Sequence, residues 1–508
     1  SIFQQTAALG NFTFSVKDGA NVEFTADLGN AASTISAPAA TATTNAITTE
    51  FSTVASQTGV VFANVKTANI IADAPAITGT DLTFAVLDNG TNDVVMTGTN
   101  DVVVTLGTAK TFDASALVGK LTYTQATGAA ETIKGGSDTA TVVFKGVALA
   151  QTFNGTDAAS AVTFATTTGT ATATGGSGND VITASAAIAG TGTLDAQLGD
   201  GTNSVTANSA TSGTINVVTG SGADTVSATA FSTGTLQANT GGGVDSVTVG
   251  AALTSGVISS SLGAGADTFT IGASTATGTI VIDGGADSDT LSLAATADLS
   301  GANLNLSNVE VIKITGNGTV TFDEDDISGQ SFTVKGTAGA NDILAVTTAS
   351  SAAQVIDLSG LTMDQSLSAA ISKTSITGGA AADVITGTAV NDTINGGGGA
   401  DTIVLASTAT LNGVDVLTFV EGTDKLDVSA FLGGGTVAQN GGVGTAVTAY
   451  SSGATADAAI AGKVVVLADA TGGAAVTAVD TAAEIAALID GAGDVFSITA
   501  GSKAVVIA

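Results

Sequence analysis

The chain has 508 residues, of which 66 are glycine and two are proline, and 44% are hydrophobic by count. It contains no His, Cys, Trp or Arg, so all twelve basic residues are Lys; against 44 acidic residues they leave a net charge of −32. That inventory excludes ordinary zinc, copper and haem sites, Ser-His and Cys-His nucleophiles and HExxH proteases, and the charge repels nucleic acid and anionic membrane.

Glycine is near double its usual share of about 7%, yet the apolar content is too high for a disordered polymer. Aromatics are scarce (18 Phe and two Tyr), which points to a thin core of small and β-branched residues. No apolar run is long enough to span a bilayer. The chain starts at Ser1 with no basic and then apolar leader, so it reads as processed or as part of something longer. Only seven of the acidic residues are Glu, leaving 37 Asp. Asp is the short carboxylate suited to tight oxygen-ligand loops, and hard cations, above all Ca2+, are its natural partner.

Residues 1–156 read as an N-terminal β-rich region, Thr- and Ala-rich and without a sharp motif up to residue 85. GTNDVVMT at 90–97 is followed at once by GTNDVVVT at 98–105. This duplication predicts a pair of strand turns, with Asp93 and Asp101 as candidate Ca2+ ligands.

From Asp157 to Leu293 the chain repeats with a period near 22, marked by Asp180, Asn203, Asp224, Asp245, Asp267 and Asp289. A glycine precedes each mark by 11 residues (Gly169, Gly192, Gly213, Gly234, Gly256, Gly278). Apolar side chains follow two and four residues after each mark, as in Val226 and Ala228 or Phe269 and Ile271, with Thr or Ser mostly between. Period-two alternation over five residues is a short half-buried strand. Each unit thus reads as strand, turn, strand, turn and can hide its apolar side only by stacking on its neighbours. The expected fold is all-β: a parallel β-solenoid over 157–300, flanked by further β-rich segments.

The Asp corner carries the chemistry. GSGAD ends at Asp224, GGGVD at Asp245 and GAGAD at Asp267, with Asp289 next in the series. Coils about 4.8 Å apart would stack these carboxylates in a row. Two bare charges at that distance repel by roughly 3.5 kcal/mol at an effective dielectric of 20, and a cation between them reverses the sign. Gly-Asp pairs also mark turns that hold no metal, because Asp caps its own backbone. That is the expected role of the unrepeated Asp138 and Asp195.

GGSGNDVIT at 175–183 fits the pattern GGxGxDxUx, and 378–404 holds GGAAADVIT, GTAVNDTIN and GGGGADTIV in tandem. Here the sequence resembles the RTX (repeats-in-toxin) family, whose β-rolls bind calcium through a loop Asp and neighbouring carbonyls. The resemblance makes Asp180 a ligand with Gly176 and Gly178, and makes Asp383, Asp392 and Asp401 ligands with Gly379, Gly397 and Gly399 as carbonyl donors. Ala381 and Val390 stand where a loop glycine is expected, which implies weaker binding in the first two tandem loops. The roll and its cap occupy 374–432, with 415–431 (DVLTFVEGTDKLDVSAF) similar to the segment that closes such rolls. Residues 301–373 resemble an inter-roll β segment; within them Phe322-Asp323-Glu324-Asp325-Asp326 is either a solvated loop or a further cation site. Residues 433–508 then correspond to a C-terminal β-rich region carrying a type I secretion signal.

By the same resemblance the chain is expected to be a calcium-dependent surface-layer protein, exported to the outside of a bacterial cell. It would assemble with copies of itself into a two-dimensional lattice. An RTX adhesin or extracellular matrix filament is the alternative. Envelope polysaccharide is a further partner, through a region the sequence does not identify; neither nucleic acid nor membrane insertion is expected. No catalytic constellation is visible, and only a two-carboxylate glycosidase survives the exclusions, so the chain is read as a non-enzyme.

Overall fold

A computed structural model describes residues 2–427 apart from short intervening stretches, and beyond them only 458–459, 464–466, 496–497 and 505–507. The expected export signal at 433–508 therefore lies outside the described residues except for those short strands, as do Gly90 and Thr91 of the duplication. The fold is all-β, a parallel β-solenoid of about 16 turns. The chain divides into two compact units, Ser1–Lys313 and Ile314–Ala508.

In the first unit one parallel sheet of fifteen described strands runs from Ile2–Gln5 to Asn303–Ser307. A second parallel ladder interleaves with it, from Thr13–Ser15 to Thr290–Ala294. From Thr67–Ala72 onward each strand pairs with the next but one in the chain, as Thr193–Gly199 does with Thr214–Thr219 and Thr225–Ala228 with Ser246–Val249. One coil thus gives one strand to each face, and the alternation places every second side chain inside.

Register converts the sequence repeat into columns. Val205, Val226, Val247, Phe269 and Leu291 lie opposite one another in successive coils, as do Ile215, Leu236, Ile258 and Ile280. All nine are buried. At about 25 cal/mol per Å² of apolar surface removed from water, such continuous columns are the main force holding the coils together.

The ladders extend well upstream of residue 157. There Ile2 pairs with Asn21, Asn21 with Thr48, Ala46 with Thr67, Thr67 with Asp93 and Asp93 with Thr111, so successive coils take 19, 27, 21, 26 and 18 residues. Strand register is kept while turn length varies. The core here is aromatic: Phe144 stacks on Phe164 with ring centroids 5.0 Å apart, and Phe24, Phe51 and Phe84 form a second run. The two copies of the GTNDVV duplication lead into consecutive strands, Asp93–Gly98 on one face and Val102–Leu106 on the other.

In the second unit, parallel pairing joins Thr319–Asp323, Asp342–Thr347, Ile371–Thr377, Asp392–Asn395 and Val416–Thr418. A second sheet joins Val355–Asp357, Val384–Thr386, Thr402–Val404 and Lys425–Asp427. Residues 319–377 thus contribute strands to the same sheets as the tandem nonapeptides. The helix among the described residues is one turn, Glu324–Ile327.

Candidate metal centre

Each repeat Asp stands where a turn enters a strand of the second ladder, and its carboxylate reaches across to the coil before it. Asp180 Oδ1 accepts the Ser160 backbone N–H (2.8 Å), Asp224 that of Asn203 (2.6 Å), Asp245 that of Asp224 (2.8 Å), Asp267 that of Asp245 (2.7 Å) and Asp289 that of Asp267 (2.8 Å). The second unit repeats the arrangement, with Asp383 Oδ1 on the Gln354 N–H (2.9 Å) and Asp401 Oδ1 on the Asp383 N–H (2.9 Å). One oxygen of each carboxylate therefore stitches two coils together.

The other oxygen is the anomaly. Oδ2 of Asp180, Asp224, Asp245, Asp267, Asp289 and Asp401 is buried and accepts no hydrogen bond. Buried polar groups are normally paired, and an unpaired charge is costly. Burial accordingly pushes the carboxyls of Asp180 and Asp267 up to about 6, and those of Asp224, Asp245, Asp289 and Asp401 upward, with the backbone N–H donors opposing the rise.

Asn203 reveals what these orphaned oxygens face. Its Oδ1 accepts the Asp180 N–H (3.0 Å), as an Asp would, which turns Nδ2 into the preceding turn. There Nδ2 donates to the carbonyl oxygens of Gly199 (3.0 Å), Asp200 (3.3 Å) and Gly201 (3.2 Å). The equivalent turns at 220–222, 241–243 and 263–265 stack on one another, with bridges from Ser221 to Gly242 and from Gly242 to Ala264. In those coils a carboxylate oxygen occupies the place of the donating amide. Carbonyl and carboxylate oxygens converging without a donor are the ligand set of a hard cation. A calcium ion would be held there by Oδ2 of the row Asp and the turn carbonyls, in the place that the N–H donors of the Asn203 amide fill in their own coil.

Glycine is needed in these turns for a steric reason. Gly265 has φ +133° and Gly243 φ +139°, and a Cβ on Gly265 would overlap the Gly243 carbonyl oxygen. Gly176 and Gly178 lie in the turn before Asp180, tight against the coil below, where added Cβ atoms would meet Thr156 O and the Ala158 backbone. In the tandem block Gly397 (φ +93°) and Gly399 (φ +116°) sit over the carbonyls of Gly379 and Ala381.

The first two tandem loops differ from the third. Asp383 Oδ2 accepts the Gly379 N–H (2.8 Å). Asp392 accepts both the Thr388 N–H (2.7 Å) and its hydroxyl (2.8 Å). Both carboxylates are thus engaged inside their own loops, whereas Asp401 keeps a free buried oxygen. Burial still pushes Asp392 up to about 6.

Outside the rows, Asp93 is paired with the Lys66 ammonium at 3.0 Å and Asp101 Oδ1 accepts the Lys120 N–H, so this duplication sets strand turns. Asp138 caps the neighbouring Thr139 N–H, and Asp195 accepts from the Gln197 and Asn216 amides. Three row members escaped the sequence reading. Glu310 Oε2 accepts the Asp289 N–H (2.8 Å), and Asp415 and Asp424 do the same for Asp392 and Asp401. The signal was present: Glu310 follows Asp289 by 21 residues, and Asp415 and Asp424 keep the nine-residue offset of Asp392 and Asp401.

Fold and site together define a parallel β-solenoid whose turns are built to hold calcium. The chain matches the RTX calcium-binding nonapeptide repeat (4 copies) over residues 166–187 and 377–407. These are calcium-binding motifs, and they coincide with the turns leading to Asp180 and to Asp383, Asp392 and Asp401. No curated protein and no solved structure matches the chain significantly.

Proposed function

We propose that the protein is a structural component of the extracellular surface, a calcium-dependent surface-layer protein that assembles with copies of itself into a two-dimensional lattice. The observation that carries this reading is the row of buried, unpaired Asp oxygens along an otherwise apolar solenoid. Such a row makes order depend on an ion that is scarce inside cells and abundant outside them. RTX repeats accord with an extracellular structural or adhesin-like role. No helix among the described residues is long and apolar enough to cross a membrane. Export through a type I pathway and contact with envelope polysaccharide belong to the same proposal.

With a net charge of −32, facing copies repel, and the Debye length of about 8 Å at ~0.15 M salt leaves close contacts poorly screened. A lattice therefore needs cations both within each solenoid and between acidic edges. The test is electron microscopy of purified protein in EGTA, in Mg2+ and in Ca2+. Sheets that form with Ca2+, dissolve in EGTA and form poorly with Mg2+ are expected, because Mg2+ demands tighter octahedral geometry and sheds water reluctantly. Sheets that persist in EGTA would refute calcium-gated assembly. Isolated rods or filaments in Ca2+ would replace the lattice with the adhesin or matrix reading.

A further inference from the structure

The strand Thr319–Asp323 runs directly into the one-turn helix Glu324–Ile327. At that junction Asp323, Glu324 and Asp325 each bring a carboxylate oxygen into a group whose members lie within 4.8 Å of one another. These residues lie outside both nonapeptide matches, and the strand Thr319–Asp323 separates Glu324 and Asp325 from the turn glycines Gly316 and Gly318.

Acidic clusters are common without a ligand, so a second observation decides the matter. Glu324 is 3% exposed; Thr348 hydrogen-bonds to its carboxyl, yet Oε2 remains buried with no hydrogen-bond partner. A carboxylate oxygen withdrawn from water and left unpaired beside two others is unfavourable unless something positive joins them. Asp323 sits at the helix N-cap position yet makes no side-chain cap hydrogen bond, so capping does not consume its carboxylate. The Lys–Asp ion pairs among the described residues are Lys66–Asp93 and Lys134–Asp113, so no ammonium bridges this group.

The three residues also grade outward: Glu324 buried, Asp323 half-buried, Asp325 exposed. An ion can therefore enter from solvent, keep water on one side and meet carboxylates on the other. All donors are hard oxygens, and the outer side is open to the extra ligands of a six- to eight-coordinate ion.

We propose that Asp323, Glu324 and Asp325 form a calcium site of a second kind, independent of the nonapeptide turns. It ties the end of a solenoid strand to the one-turn helix that follows. The proposal does not depend on the lattice reading, since it concerns binding to the single chain.

The test is equilibrium dialysis of the full chain against radioactive Ca2+, comparing wild type with Asp325→Asn and Glu324→Gln, each checked by circular dichroism. Asp325 is exposed, so its substitution leaves the fold intact. Each variant is expected to lose one bound ion per chain, or to hold it at least tenfold more weakly, with the remaining sites unchanged. Glu324→Gln should also show a smaller calcium-induced rise in melting temperature, while its calcium-free form melts no lower than wild type. If Glu324→Gln fails to fold, Asp325→Asn decides alone. Unchanged stoichiometry and affinity in a folded Asp325→Asn protein would overturn the proposal.

Discussion

Asn203→Asp exchanges a metal-free coil for a metal-dependent one, and its consequences can be worked out from the turn. The two amide hydrogens of Asn203 serve three carbonyls, those of Gly199, Asp200 and Gly201. Losing two such bonds costs about 1–3 kcal/mol. The new carboxylate joins a row between Asp180 and Asp224, and each neighbour about 4.8 Å away adds roughly 3.5 kcal/mol at an effective dielectric of 20. Protonation limits the total, because neutralising an Asp at pH 7.5 costs no more than about 5 kcal/mol. The variant should therefore be less stable than wild type by about 3–5 kcal/mol when calcium is absent. With millimolar Ca2+ most of that loss should disappear, because an ion at a hundred times its dissociation constant returns about 2.7 kcal/mol. Urea unfolding in EGTA and in Ca2+, together with calcium stoichiometry, measures both effects. The expected result is a large loss in EGTA, a small one in Ca2+ and one additional ion bound. Equal stability of the two proteins in EGTA, or no gain in bound calcium, would refute the view that the Asn203 amide stands in for an ion.

Asp401→Ala should weaken the calcium-induced transition seen by circular dichroism, since it also strands the buried Asp383 N–H at a cost of about 1–3 kcal/mol. Asp138→Ala, which frees only the adjacent Thr139 N–H, should leave that transition unchanged. Gly243→Ala should destabilise the protein by more than about 2 kcal/mol, because its φ of +139° disfavours a side chain and its Cβ would strike the Gly222 carbonyl. The adjacent Gly242→Ala, whose Cβ meets nothing nearer than 3.8 Å, should be near neutral in the same urea titration. Calcium-stripped protein should melt at a higher temperature at pH 4–5 than at pH 7. The carboxyls of Asp180, Asp267 and Asp392, raised to about 6 in the fold, bind protons there more tightly than in the unfolded chain. Their contribution is complete below the unfolded value near 3.9 and is lost as pH rises through about 6. A stripped protein that gains stability steadily from pH 4 to pH 7 would contradict the burial of these groups without a partner.

The solenoid between residues 157 and 293 was legible because strand spacing and turn length are both nearly constant there, so the columns of Val205 through Leu291 appear as a sequence period. Upstream the same ladders were not legible. Coils of 18 to 27 residues keep register in space but none in sequence, and the aromatic run through Phe144 and Phe164 has no fixed offset to announce it. The Asp row was legible for a related reason: each carboxylate must meet the coil before it, which fixes its interval. What the sequence could not convey is which carboxylates retain a free oxygen. Asp392 and Asp401 both end nonapeptides, yet the Thr388 hydroxyl engages the first and nothing engages Oδ2 of the second. Asn203 stands where the other coils carry Asp, and the sequence does not show that its amide donates to the turn carbonyls in place of an ion. Glu310 was overlooked because an extra methylene disguised a carboxylate at the expected interval.

The most direct test of the central claim is calcium stoichiometry of exhaustively stripped protein, with far-ultraviolet circular dichroism recorded in the same titration. If the buried Oδ2 atoms of Asp180, Asp224, Asp245, Asp267, Asp289 and Asp401 exist to hold calcium, at least three ions per chain should bind. β-structure should rise in step with them and reverse on chelation. A stripped protein that is already fully folded and takes up no calcium would contradict the account.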